Sequence, residues 1–145
     1  MTSTEDIVKF VTFLAQTQRM FLQVQIFAEN SALLHSVSTS IFPTQGKSSD
    51  YAEYGVTISV ALHAMLRRPP DSEKWAMGMS LLLRHTGGSW LAEAEVGWTG
   101  QEIGWDPFDS KEVRATSIDE IYLNVPPLVE WMGLRFRDEV ARLPS

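Results

Sequence analysis

The sequence predicts an α+β domain: an antiparallel four-stranded meander with a long N-terminal helix and C-terminal helices packed on one face. Three observations lead there. Thr86-Gly87-Gly88-Ser89 stands between two alternating apolar runs, and glycine takes the positive φ angles of a two-residue hairpin turn. The pairing that this turn dictates sets apolar residues opposite apolar residues. The stretch from Thr4 to Leu34 holds neither glycine nor proline, so one long helix over residues 4–34 is the simplest reading.

With Gly87 and Gly88 as the loop, Leu83 pairs with Ala92, Leu81 with Ala94, Met79 with Val96 and Met77 with Trp98. His85 faces Trp90 at the hairpin end. The opposite face pairs Arg84 with Leu91, Leu82 with Glu93, Ser80 with Glu95 and Gly78 with Gly97. A slip of one residue would bury Glu93 and Glu95, so the register is strongly specified. A second turn at Thr99-Gly100 would set Ile103 opposite Val96 and Trp105 opposite Ala94. It would also place Glu102 beside Glu93 and Glu95. The two turns agree on which side is core.

Taken in order, Ser3 caps the first helix, with Glu5 and Asp6 favourable to its dipole. One apolar stripe runs through Ile7, Val11, Leu14, Phe21 and Ala28, and a second through Phe10, Phe13, Thr17, Met20, Val24 and Phe27. Two stripes imply a deeply wedged helix or one shared with another subunit, which leaves room for a homodimer through the 4–34 helix. Ser36 to Asp50, rich in Ser, Thr, Gly and Pro, reads as a loop with Ile41-Phe42-Pro43 against the core. Gly55 to Leu66 alternates as a half-buried strand, with Thr57, Ser59, Ala61 and His63 on the open side. Arg67 to Asp71 ends it at Pro69-Pro70.

Beyond Trp105, Asp106-Pro107 opens a turn, and Lys111 to Ala115 is a short fifth strand or irregular. Ser117-Ile118-Asp119-Glu120 is a capping box opening a short helix. Pro126-Pro127 should interrupt it and start a last helix striped by Leu128, Met132, Phe136, Val140 and Leu143.

The 145 residues suit a single domain, 1–145, able to bury roughly 70% of its unfolded surface. Apolar content of 44% is that of a globular core. The absence of cysteine removes disulfides and thiolate metal sites and suits a reducing, cytoplasmic setting. The acidic start lacks a basic n-region, so no signal peptide is expected. No apolar run approaches the ~18 residues of a membrane span. A formal net charge of −6 disfavours nucleic acid and favours a basic partner.

Candidate chemistry gathers on the open sheet face. Glu93 and Glu95, with Cα atoms roughly 7 Å apart along one strand, have a spacing that an acid/base pair can use. Alternating glutamates are more often the wet side of a strand, and Arg84 lies diagonal to Glu93. His35, His63 and His85 show no metal-ligand spacing, so no metal site and no cofactor are expected. Phosphate-binding glycine motifs and a nucleophile elbow are absent from the sequence. Trp98, Trp105 and Trp131 are expected in the core, and any found exposed becomes an interface anchor candidate.

The run Gly88-Ser89-Trp90-Leu91-Ala92-Glu93-Ala94-Glu95-Val96-Gly97-Trp98 carries a family likeness, together with Ile118-Asp119-Glu120-Ile121, Pro126-Pro127 and Trp131. Over this C-terminal half the chain resembles small bacterial immunity proteins of polymorphic and contact-dependent toxin systems. The resemblance implies a cytoplasmic, non-enzymatic protein that binds a cognate toxin domain and blocks it. Its contacts would be Glu93, Glu95, Glu102, Arg84, Leu82, Leu91 and His63, with no catalytic residue. Two other readings stand beside it. One is a secretion-effector chaperone that uses the first helix as a dimer seam or clasp. The other is a small enzyme using His63 with Glu93 or Glu95.

Overall fold

The computed structural model describes residues 4–45, 56–86 and 88–144. In chain order its elements are α1 (Thr4–Glu29), β1 (Leu34–Gln45), β2 (Val56–Leu66), β3 (Ala76–Thr86), β4 (Ser89–Gly100), β5 (Gly104–Ala115) and α2 (Ile118–Ala141). The strands form one five-stranded antiparallel sheet in the order β1-β2-β3-β4-β5. Both helices cover one face of it. α1 lies over β1 and β2, and α2 lies over β3, β4 and β5. The α+β meander with helices on one face is as the sequence predicts, but with five strands rather than four.

The β3–β4 hairpin holds the expected register throughout, from Thr86↔Ser89 to Met77↔Trp98. Gly88 takes φ +78, while Gly87 lies outside the described residues. Met77, Met79, Leu81, Leu83, Ala92, Ala94 and Val96 are all buried against the helices. His85 stacks on Trp90 with ring centroids 4.4 Å apart.

Three expectations about the sheet are corrected. Residues 34–45 form strand β1, where a loop was expected, pairing Thr39 with Leu62 and Ile41 with Val60. Serines alternate there with Val37, Thr39 and Ile41, so the core side is β-branched even though the composition resembles a loop. The side chains of Phe42, Pro43 and Thr57 lie outside the described residues, as do Ser3 and residues 46–55.

The β4–β5 connection is not a two-residue turn at Thr99-Gly100. Gln101, Glu102 and Ile103 form the loop, Gly100 pairs with Gly104, and Gly104 takes φ +74. A three-residue loop closed by a left-handed glycine fits the strand twist better than a two-residue turn lacking one. The β2–β3 connection locks this end: Ser72 O accepts from Gln101 N at 3.1 Å, and Thr99 O accepts from Trp75 N at 3.1 Å. A Cβ on Gly100 would stand 2.8 Å from Glu73 Cα, so only glycine lets the two segments approach this closely.

The third correction concerns Trp105. It pairs with Thr99 rather than Ala94, and stands 37% exposed on the face away from the helices. Trp98 and Trp131 instead pack against the core, Trp98 on Phe108 at 5.6 Å and Trp131 beneath Lys111 Nζ at 4.7 Å. Residues 106 to 115 run on as one strand, with a bulge opposite Val96 and Gly97.

The helices also differ in detail. α1 ends at Glu29 rather than near Leu34, and Ser31 then turns the chain, accepting from Leu33 N at 3.2 Å. α2 is continuous from Ile118 to Ala141 with Pro126 and Pro127 inside it. Each proline removes one backbone donor, yet Ile121, Val125, Leu128 and Val129 are all buried around them, and that packing holds the helix together. The capping serine behaves as expected: Ser117 Oγ accepts from Glu120 N at 3.3 Å. The Glu120 carboxylate accepts from the Thr116 hydroxyl at 3.2 Å.

One core fills the space between helices and sheet, from Phe13, Phe21 and Val24 on α1 to Met132, Phe136 and Val140 on α2. The two helices meet where Gly133 passes Val24, so closely that a Cβ there would lie 3.0 Å from Val24 Cγ2. Phe13 and Tyr122 close the other end at 5.0 Å.

Candidate functional site

Placing both helices on one side leaves the other side of the sheet uncovered by any described element. Strand alternation decides what that face displays. One transverse row crosses all five strands as Ser40, Ala61, Ser80, Glu95 and Ser110. The row beside it reads Ser38, His63, Gly78, Gly97 and Pro107. Both rows are built mainly from small side chains, so they form the floor of a shallow trough running across the strands. Leu82 and Glu93 rise on one side of it, and at the β4–β5 end the Trp105 indole reaches across the Gly97–Pro107 row to Glu95. Ser59, Ala61, His63, Ser80, Leu82 and Leu91 are each half-buried although no described element lies over them.

The structure brings most of the expected contact residues together here. Arg84 and Glu93 form an ion pair across β3 and β4, as their diagonal placement suggested. Leu91 pairs with Arg84, and Leu82 with Glu93. The Glu93 charge is therefore neutralised locally. Glu95 differs: the indole N–H of Trp105 donates to it at 3.4 Å, and among the described residues it makes no ion pair.

Glu102 does not join them. It stands exposed in the Gln101–Ile103 loop, beyond the end of β4 at Gly100, because the turn falls later than expected. The carboxylate that takes its place is Glu112, directly opposite Glu93 on β5. Arg114 Nε lies 3.4 Å from Glu112, so the like charges of Glu93 and Glu112 are each balanced by an arginine. Glu93, Glu95, Ser110 and Glu112 line a cleft of about 200 Å³ between β4 and β5. Sequence reading missed Glu112, Ser110 and Trp105 as members of this face. The signal was present in β5, where Ser110, Glu112 and Arg114 alternate with Lys111, Val113 and Ala115.

His63 sits on β2, facing Gly78, with the Trp75 ring edge-on at 6.3 Å. Burial pushes its pKa below the ordinary value, since a charged imidazole there would lose hydration. Two strands of ~4.8 Å and two residues along the ladder separate it from Glu95, about 12 Å between Cα atoms. The fold thus does not bring His63 within hydrogen-bonding reach of Glu93 or Glu95. Among the described residues no group of three His, Asp or Glu side chains is placed to hold a metal ion. No described helix is long and apolar enough to cross a membrane.

A second feature lies on the helix layer. Ile7, Val8, Val11, Leu22 and Ile26 of α1 are exposed at 41% or more, on the side of the helix turned away from α2. Compared with known proteins, the chain matches no protein-family model, no curated protein and no solved structure.

Proposed function

We propose that this chain is a non-enzymatic binding protein that holds a basic partner protein against the open face of its sheet. In this reading it acts as an immunity protein in the cytoplasm, neutralising a cognate bacterial toxin domain and needing no cofactor. The observation that carries the proposal is the trough itself. A floor of small side chains spans five strands, and Glu95, which makes no ion pair among the described residues, stands on it beside an exposed tryptophan. Backbone and small residues accept a protruding partner segment, Trp105 and Leu82 supply apolar anchors, and Glu95 fixes a cation. The net charge of −6 steers a basic partner and repels acidic ones.

A secretion-effector chaperone is the second reading, favoured by the exposed apolar residues of α1. Affinity capture from the native cells, followed by mass spectrometry, separates the two. A near-stoichiometric folded toxin domain, lost from the Glu95→Lys variant, supports immunity. An unfolded secretion segment retained by that variant supports the chaperone and overturns the open-face reading.

A further inference from the structure

The two edges of the sheet are treated differently by the sequence. β5 carries Asp106, Asp109, Lys111, Glu112 and Arg114, together with Pro107 and a bulge. Charges, proline and bulges are the devices that keep an edge strand from pairing with another chain. β1 contains no Asp, Glu, Lys or Arg along its 12 residues. It does carry a bulge between His35 and Ser38, but from Ser38 onward no described element pairs with its outer edge, and no charged side chain discourages a partner strand. Pro43 withholds one donor near its end.

α1 lies above that same edge, and its exposed apolar stripe points the same way. Val24 and Phe13 mark the side of α1 that meets α2, through Gly133 and Tyr122. Phe21 and Ala28 mark the side on the sheet. At 100° per residue, Ile7, Val11, Ala15, Leu22 and Ile26 fall opposite the α2 side, beyond β1. Two independent features, an edge without charge and an uncovered helix stripe, thus share one wall of the molecule.

We infer that this wall is the seat of a second copy of the chain, β1 against β1 and α1 against α1 about a two-fold axis. The stripe is self-complementary. An axis midway along α1 sets Ile7 against Ile26 of the second copy, Val11 against Leu22, and Ala15 against Gln18. The same axis serves the strands. α1 is ~39 Å long and β1 ~40 Å, and the short connection between them makes them run antiparallel, so the midpoint of the helix lies over Thr39 and Ser40. An isologous interface requires such a shared centre. The wall measures ~39 Å by ~20 Å, helix stacked on sheet, or roughly 800 Å² per partner, which is the size of a standard stable interface.

Light scattering on the full chain, at tens of micromolar after size-exclusion chromatography, tests this. The expected mass is twice the 16.3 kDa of one chain. Leu22→Glu and Val11→Glu should each run as a single chain with unchanged circular dichroism, because both side chains are already exposed in the isolated chain. The chain has no cysteine, so mixing Ala15→Cys with Gln18→Cys under mild oxidation should give a covalent dimer. Substituting Ser110→Cys on the open face should give none. A wild-type chain at single-chain mass overturns the inference. So does a dimer that survives Leu22→Glu.

Discussion

The indole N–H of Trp105 donates to Glu95 Oε1 at 3.4 Å across β4 and β5, on the sheet face away from the helices. A neutral donor orients the carboxylate without cancelling its charge, leaving it available to a cation. Glu95→Lys should therefore slow association with the captured basic partner several-fold and flatten its salt dependence. Glu102→Lys, out on the loop, should leave both nearly unchanged. Surface plasmon resonance at low and physiological salt reads the difference, and equal effects from the two variants would remove Glu95 from the interface.

Stability should fall with acid through His63. Its folded-state pKa lies below the ordinary 6.5, so the unfolded chain binds the proton first as pH drops. The contribution is complete above about 6.5 and is lost as pH falls toward the depressed folded value. His63→Gln should flatten the urea-midpoint profile between neutral and mildly acidic pH. An identical slope in the variant would show that burial at this site is not felt.

Leu81 is 2% exposed, paired between Val60 and Ala94 beneath the helices. Truncation to alanine should cost about 2–5 kcal/mol in chemical denaturation. A loss below about 1 kcal/mol would mean that the central strand is not packed as described.

Pro127 is exposed within α2, where it supplies no amide to the carbonyl of Leu123. Alanine recovers that donor, with a helix-interior preference of up to ~3 kcal/mol less ~1 kcal/mol for the freer unfolded chain. Pro127→Ala should therefore raise stability by about 1–2 kcal/mol, seen as a higher Tm. A lower Tm would mean that the proline ring makes a contact worth more than the hydrogen bond.

Where glycine and charge agree, the fold was legible in the sequence. Glu93 and Glu95 cannot be buried, Gly87-Gly88 fixes the turn, and the whole β3–β4 register follows from those two constraints. β1 was hidden because its serines face out and its one proline and its threonines resemble a linker; the only strand signal was the β-branched residues at alternate positions. The β4–β5 turn was misplaced because Gly100 and Gly104 both suit a turn, and the choice depends on Glu73 crowding Gly100 from a different segment. The placement of Leu82, Arg84, Leu91, Glu93 and Glu95 together on one face of β3 and β4 was legible from the β3–β4 register. The β5 residues on that face, Trp105, Ser110 and Glu112, were not legible, since their positions depend on the β4–β5 turn. α2 ran through its prolines because tertiary burial outweighs local helix preference.

The meander has a kinetic consequence. Each strand's partner is its neighbour in sequence, so the sheet can zip together hairpin by hairpin with short loops to close. The clasp between Phe13 and Tyr122 is the opposite case, joining segments more than a hundred residues apart. It must wait for the strands between them. During synthesis, α2 leaves the ribosome after the strands that it covers, so Met79, Leu81 and Val96 meet water until it docks. Hydrogen exchange pulsed during refolding should protect β3 and β4 amides before those of either helix. For that interval the half-made domain exposes an apolar sheet face and is prone to aggregate.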